Sequence, residues 1–398
     1  MDKRIQTFCL PFLFTMILSC YDNKTNIKRI VENAPISILL ENLKTETSSM
    51  FDSIATYNLI YLQTSIDCVI GNVDKVIYFK NKTIIFDRRQ KMLFIFNEKG
   101  NFLAKIDNIG IGPNQYIQIS DFCVAEETNS IFALVACGGY RSKVFEYDFN
   151  GVIKNSTSLP FSCRRIGFFD NNLIFYSDFS TSNKKDFNIY FTTKNGKIIS
   201  KFFPYKRRKG MWGMELDVFL TCKDQLYYYP VYCDTIYRFA DSYSIEPYIV
   251  LKDKELTNTQ KLNEQYQNIS FEEFIKIQQE SNYRKFLNLV ITEKYLFFES
   301  GTDGLEEHFI YDLKNKKLSS FKEGDYITSI VASPLSTDGY WLVNIVNPYE
   351  VHDFVSRVKD RVSVENFIKF IDNNSFIKEV YEHSKPNDNP IIIKYKLI

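Results

Sequence analysis

The stretch Ile109-Gly110-Ile111-Gly112-Pro113-Asn114-Gln115-Tyr116-Ile117-Gln118-Ile119-Ser120-Asp121-Phe122 joins two β-rich segments. Gly110 and Gly112 accept positive φ at no steric penalty, and Pro113 fixes its own φ and lacks an N–H donor. Such a sequence makes a stiff, sharply bent crossing. A G-x-G pair also occurs in dinucleotide-binding loops, but those need a strand before, a third glycine and a helix N-terminus after. Here Tyr116, Ile117, Ile119 and Phe122 follow, which is strand composition. The stretch therefore reads as a crossing between two β units.

Working outward, the pattern on both sides repeats. Residues 73–80, 83–87, 91–96 and 101–107 make four short strands before the crossing. Residues 119–125, 130–136, 143–148 and 152–157 make four after it. The plan recurs at 164–169, 172–176, 187–192 and 197–203, then at 215–221, 225–229, 235–239 and 244–251, and again at 288–292, 295–300, 307–312 and 317–321. Lys99-Gly100, Asn150-Gly151 and Asn195-Gly196 sit between third and fourth strands. Asn-Gly is a strong hairpin signal because both turn residues take positive φ. A spacing of about 50 residues with four strands per unit is the signature of a β-propeller. One such sheet cannot bury both of its faces, whereas sheets stacked around an axis can.

The sixth set is incomplete. Residues 328–333 and 340–346 read as strands, and residues 391–397 as a last one. Between them, residues 348–389 read as helical, with Phe354, Val355, Val358, Val364, Phe367, Ile368 and Ile371 at helical spacing. The strand at 54–63 supplies the missing fourth, so pairing it with 391–397 closes the ring. A second helical insert is expected at about 257–286. The fold class is all-β, a six-bladed propeller with two helical insertions.

Composition narrows function mainly by exclusion. The chain has 398 residues, 45% hydrophobic and 16% aromatic, enough for a large core. A formal net charge of +1 gives no bulk electrostatic reason for binding nucleic acid. Three histidines, His308, His352 and His383, argue against a histidine metal centre, and the spacing of the cysteines does not support zinc. No cofactor is expected.

The N-terminus reads as a targeting segment. Lys3 and Arg4 precede an apolar run, 8–18, that is too short to span a bilayer and ends in Leu18-Ser19-Cys20. This resembles the bacterial lipobox. The division expected is a signal peptide at 1–19, a tether and lead-in at 20–53 containing a short helix, and the propeller at 54–398. Cys20 would carry the lipid anchor, placing the chain in the cell envelope on an outer-membrane leaflet, periplasmic or surface-facing. The six remaining cysteines outside the signal could pair, in no order the sequence reveals.

Four motifs carry a family resemblance: Ile60-Tyr61-Leu62-Gln63; Ile109 to Tyr116, close to I-G-x-G-P-x-E-Y; Asp234-Thr235-Ile236-Tyr237-Arg238 with Pro247-Tyr248 behind; and Asn389-Pro390-Ile391. Across about 57–398 the chain resembles the six-bladed β-propeller lipoproteins of Bacteroidota, and more distantly NHL-type propellers, which include binding modules and a few enzymes. Gln115 stands where the family has Glu. The resemblance implies fold and localisation, and no activity.

Candidate residues follow from topology. In a four-stranded antiparallel blade, the loop between strands two and three opens on the same rim as the crossing to the next blade. Arg88, Arg89, Tyr140, Arg141, Asp178 and Tyr232 fall in such loops and form the candidate ligand face, walled by the two inserts. Gly110, Gly112, Pro113, Gln115 and Tyr116 read as a structural signature loop. Lys206 to Lys209 and the loop acids Asp178, Asp186, Asp303, Glu306 and Glu307 are more plainly solvated surface than chemistry. Trp212 and Trp341 are possible sugar-stacking platforms, with core packing the plainer reading for Trp341. No histidine has a flanking motif for Ser-His-Asp catalysis. The favoured function is a monomeric envelope module that binds a ligand or protein. The alternative is a hydrolase or lyase acting on glycan or peptide.

Overall fold

Lys82–Asp87 carries the apolar run Ile84-Ile85-Phe86, and Met92–Asn97 is apolar up to Phe96, so neither has a polar face in its middle to turn to water. In the computed structural model both faces of these strands are buried. Ile84, Phe86, Leu93 and Ile95 enter one apolar cluster, while Ile85, Phe94 and Phe96 enter another on the opposite face. The twofold alternation of strand side chains thus sends neighbouring residues into different inter-sheet seams. The structure describes residues 35–40, 54–137, 142–178, 186–205, 217–230, 233–252, 265–266, 268–280, 285–302, 305–322 and 333–398.

Two N-terminal strands, β1 (Ile36–Leu39) and β2 (Ile54–Tyr61), precede the blades. Blade one is β3 (Lys75–Phe79), β4 (Lys82–Asp87), β5 (Met92–Asn97) and β6 (Phe102–Ile106). Blade two is β7 (Gln118–Ala125), β8 (Ser130–Ala136), β9 (Ser142–Tyr147) and β10 (Ile153–Ser158). Blade three is β11 (Arg165–Phe169), β12 (Asn172–Tyr176), β13 (Asp186–Thr192) and β14 (Ile198–Tyr205). Blade four is β15 (Phe219–Cys222), β16 (Gln225–Tyr228), β17 (Thr235–Asp241) and β18 (Ser244–Lys252). Blade five is β19 (Lys285–Ile291), β20 (Tyr295–Thr302), β21 (Leu305–Asp312) and β22 (Lys317–Lys322). Blade six is β23 (Ser336–Thr337), β24 (Leu342–Val346) and β25 (Ile391–Leu397), completed by β2.

Six apolar clusters correspond to the six seams between consecutive blades, including the seam from blade six back to blade one. β2 pairs antiparallel with β25, from Ile54 opposite Leu397 to Tyr61 opposite Ile391. Ring closure therefore joins the two ends of the chain.

The marker glycines show why their positions admit no side chain. Gly100, Gly151 and Gly196 have φ of 82°, 77° and 78°. A Cβ on each would meet the outer strand of the preceding blade: Tyr61 O at 2.0 Å, Lys105 O at 2.8 Å and Thr157 Cγ2 at 2.9 Å. Each turn needs both a left-handed residue and close backbone approach. Gly100 meets β2 as Gly151 meets β6, so β2 occupies the outer-strand place of blade six.

Three details depart from the sequence reading. In the lead-in, which read as mixed with a short helix in part of it, the described segment β1 is a strand, parallel to β18 as a fifth strand of blade four; residues 41–53 lie outside the described residues. The strand expected at 328–333 falls mostly outside the described residues, and the inner strand of blade six is Ser336–Thr337. The strand expected from 340 begins at Leu342 because Asp338 Oδ1 accepts from the N–H groups of Tyr340 (2.9 Å) and Trp341 (2.7 Å), turning the chain there.

Both inserts hold helices. α1 (Phe271–Glu280) opens with a reciprocal cap between Ser270 and Glu273 and packs Phe271 and Ile275 against the seam of blades three and four. α2 (Pro348–Arg361), α3 (Val364–Asn373) and α4 (Ser375–His383) bury Val351, Val355, Phe376, Ile377 and Val380 in the seam of blades five and six. Among the described residues no helix is long and apolar enough to cross a membrane.

Candidate functional site

The first strands of the blades surround a central channel of about 790 Å³. Its walls come from β3, β7, β11, β15, β19 and β23, with mixed apolar and polar character. Lys80, Asn81, Glu126, Glu127, Asp170, Asn171, Lys223, Asp224 and Asp338 form one mouth. These residues lie at turns between first and second strands, the rim opposite the crossings. None of the described helix residues lines the channel, because the helices occupy seams instead.

At the crossing end of the channel the charges are matched. Lys75 Nζ lies 2.8 Å from Asp121 Oδ1 and donates to Phe122 O at 3.0 Å. The other Asp121 oxygen accepts from Ile166 N at 2.9 Å. Arg165 Nε stands 3.2 Å from Asp217 Oδ1. Burial opposes the Lys75 charge, but the carboxylates of Asp121 and Asp217 outweigh it and raise its pKa. Asp121 is buried and holds a cation and a neighbouring blade's backbone, so it is structurally committed. At the other mouth, Lys80 pairs with Glu126 at 3.3 Å and Lys223 with Glu293 at 2.5 Å.

The signature loop is braced from within. Gln115 Oε1 accepts from Gly112 N at 2.8 Å, Gly110 N donates to Tyr116 O at 2.9 Å, and Tyr116 N to Asn108 O at 2.9 Å. The buried Tyr116 hydroxyl lies 3.0 Å from both Lys91 O and Ile106 O. A glutamate oxygen at 115 could make the same bond as the amide oxygen, so Gln115 forfeits no visible chemistry here.

Of the candidate ligand-face residues, the structure describes Arg88, Arg89 and Asp178. Arg88 is half-buried and engaged: its N–H donates to Asp74 Oδ2 at 2.8 Å, and its guanidinium lies 3.6 Å from Asp74 Oδ1. Arg89 is exposed in the same turn. Asp178 is buried at φ 53°. Tyr140, Arg141, Tyr232, Trp212 and Cys20 lie outside the described residues.

A Ser-His-Glu grouping does occur, at the seam of blades five and six. Ser333 Oγ lies 2.7 Å from His308 Nδ1, and Glu299 Oε1 lies 3.5 Å from the same nitrogen. In a working triad the acid and the nucleophile use opposite ring nitrogens. Here both face Nδ1, while the buried Nε2 has no hydrogen-bond partner among the described residues. Burial pushes the Glu299 carboxyl up, but bonds from His308, Ser333 and Asn288 outweigh it, and its pKa falls. The group thus holds an ionised carboxylate and has no relay.

The six described cysteines are free thiols. Burial pushes Cys163 to about 12 and Cys222 and Cys233 to about 11, which leaves them unreactive. Among the described residues no His, Cys, Asp or Glu cluster could hold a metal ion.

Sequence reasoning missed three features: the Lys75–Asp121 and Arg165–Asp217 pairs, the bonds by which Asn389 ties Gln63, Thr64, Cys68 and Ile70 together, and Lys394. Lys394 and Lys396 interrupt the apolar run Ile391–Leu397, and that interruption was the available signal.

No functionally curated protein matches the chain. Among solved structures, a Bacteroides fragilis protein thought to be exported superposes with a TM-score of 0.72 at 19% identity, over 91% of this chain and 99% of that one. A Bacteroides vulgatus member of the family named duf4221 reaches 0.49 at 9% identity, over 87% and 97%. Both identities are low, and the first likeness supports the propeller fold alone. The model of the family described as domain of unknown function DUF4934 matches residues 35–396, and the chain belongs to that family.

Proposed function

We propose that this chain is an exported, lipid-anchored propeller that binds a ligand or protein in the cell envelope without transforming it. The observation that carries this reading is the state of four acids at the channel, Asp121, Asp217, Asp170 and Asp338. Asp121 and Asp217 are matched by Lys75 and Arg165. Asp170 Oδ2 accepts from Ser242 N and Oγ, and Asp338 Oδ1 caps a turn. Acid–base catalysis needs a carboxyl free to exchange a proton near the reacting group. These four hold the scaffold together, around a channel large enough for a ligand. The lipobox ending in Cys20 supports anchoring, and the likeness to the B. fragilis protein is consistent with export.

Two experiments test the reading. Mass spectrometry of the membrane fraction should find a diacylglyceryl-modified Cys20 at the mature N-terminus, and Cys20→Ala should move the protein to the soluble fraction. Unmodified Cys20 would end the anchoring half. Incubation with glycan and peptide panels should give saturable melting shifts with every ligand recovered chemically intact. New product masses would favour the hydrolase or lyase alternative.

A further inference from the structure

The seam that closes the ring holds an ammonium with no acceptor within hydrogen-bond distance among the described residues. Lys394, on β25, is only 8% exposed. Its Nζ makes no hydrogen bond among the described residues. It lies 3.5 Å from the Tyr78 ring centroid and 5.3 Å from that of Trp341. The neighbouring carboxylate oxygen, Asp338 Oδ2, is 4.0 Å away. That is too long for a hydrogen bond, and it is a separation one oxygen atom can bridge on each side. Asp338 Oδ1 is already occupied by Tyr340 N and Trp341 N, which leaves Oδ2 toward the lysine. A buried ammonium normally has its donors matched, because leaving them bare is unfavourable. Burial, with Lys396 nearby, lowers the Lys394 pKa despite Asp338, as expected for an incompletely compensated cation.

The location gives access. Tyr78 and Asp338 both line the central channel at its hairpin-turn mouth. Lys396 Nζ stands 4.4 Å from the Trp341 ring centroid, while the Tyr340 ring of the same turn is engaged by Lys223, whose Nζ lies 4.2 Å from its centroid. The cleft thus combines an acceptor, a donor and aromatic rings at one edge of the channel. A simple anion suits it poorly, since Asp338 would repel it from Lys394. A neutral polyol suits it well. Of two adjacent hydroxyls, one donates to the carboxylate and the other accepts from the ammonium, while the carbon-bound hydrogens of the same ring meet an aromatic surface.

We propose that this cleft is a carbohydrate subsite in which vicinal hydroxyls of a neutral sugar bridge Asp338 and Lys394, flanked by Tyr78 and Trp341. It rests on the binding reading above and names the ligand class and the rim. The rim is the one opposite the crossing loops that the sequence favoured.

The test uses the mature chain in two forms. In a Trp212→Phe background Trp341 is the remaining tryptophan, so its fluorescence reports the site; calorimetry on the unaltered chain gives an independent affinity. Neutral monosaccharides, neutral oligosaccharides, a uronate and acetate are titrated in parallel. The expected result is saturable binding of a neutral sugar, weakened at least tenfold by Lys394→Met and by Asp338→Asn and unchanged by Arg89→Ala. Asp338→Asn keeps an oxygen for the turn N–H groups, so it preserves the fold if Lys394→Met does not. Tighter binding of oligosaccharides than monosaccharides identifies a glycan rather than a free sugar. Binding of the anions alone, or equal affinity in both variants, overturns the subsite and leaves the binding reading standing. Failure of every sugar while a peptide binds does the same. Failure of sugars and peptides alike overturns both.

Discussion

The seam between blades one and two and the seam between blades six and one perform the same task by different means. The first is covalent: the chain runs from β6 through the signature loop into β7, and Tyr116 seals it between Lys91 O and Ile106 O. The second joins segments more than 300 residues apart in the chain, as Asn389 shows by reaching Ile70. Asn389 Oδ1 accepts from Ile70 N at 2.8 Å, Nδ2 donates to Gln63 O at 2.8 Å and Cys68 O at 2.6 Å, and its N–H donates to Thr64 Oγ1 at 2.8 Å. An aromatic anchor suffices where the chain itself limits separation. Where it does not, a buried amide specifies the join, because an unmatched donor or acceptor there would be unfavourable. The closing seam is also where Lys394 sits.

Breaking the closing strand should have the largest effect. A chain lacking residues 1–62 should lose its cooperative melt, because blade six then exposes the β25 edge and Ile60 and Leu62 leave the seam. A chain lacking residues 1–40 loses β1 alone of the described strands and should still melt cooperatively. Equal melting of the two truncations would sink the closure argument. Next, Asn389→Ala should destabilise by about 2–4 kcal/mol in denaturant titration, because it strands the Ile70 N–H and the Cys68 carbonyl and leaves Gln63 O only the weak Cys68 thiol donor. A change below about 1 kcal/mol would mean that the hub is replaceable.

The glycine turns sharpen the comparison. Gly100→Ala should cost more than Gly151→Ala, with values of about 1–3 kcal/mol, because its Cβ would lie closer to backbone, at 2.0 Å against 2.8 Å. Reversal of that order would show that the closing strand yields more readily than β6. Acid should also weaken the closing seam. The Asp87 carboxyl is opposed by burial, yet hydrogen bonds from Gln90, Asn72 and Gly71 outweigh this and hold its pKa below 3.8. A carboxyl with a folded pKa below its unfolded one contributes stability above the unfolded value and loses it as pH falls through the folded one. Asp87→Asn should therefore lower stability at neutral pH and flatten its fall below pH 3.8; an unchanged acid slope would assign that fall to other groups. The smallest effect belongs to the covalent seam. Gln115→Glu should change stability by less than about 0.5 kcal/mol, since either side chain can accept from Gly112 N.

The propeller was legible because its strongest signals are local. Strand composition, turn glycines and a spacing near 50 residues each act within one blade. The closure was legible too, from a strand missing at one end and spare at the other. The candidate site was much less so. Arg88 and Asp178 were chosen for their loops, but Arg88 proves to be bonded to Asp74 and Asp178 to be buried. Loop position shows which rim a residue occupies and says nothing about its partners.

By itself, then, the sequence determined the blade count, the strand order, the inserts and the pairing of its two ends, since these follow from period and turn chemistry. Only the tertiary structure decided that Asp121 neutralises Lys75, that Gly100 must admit the Tyr61 carbonyl, and that Lys394 faces Asp338 across a gap. The reason is physical. Burial, charge pairing and hydrogen bonding depend on distances between atoms remote in the chain, and no local pattern encodes those distances.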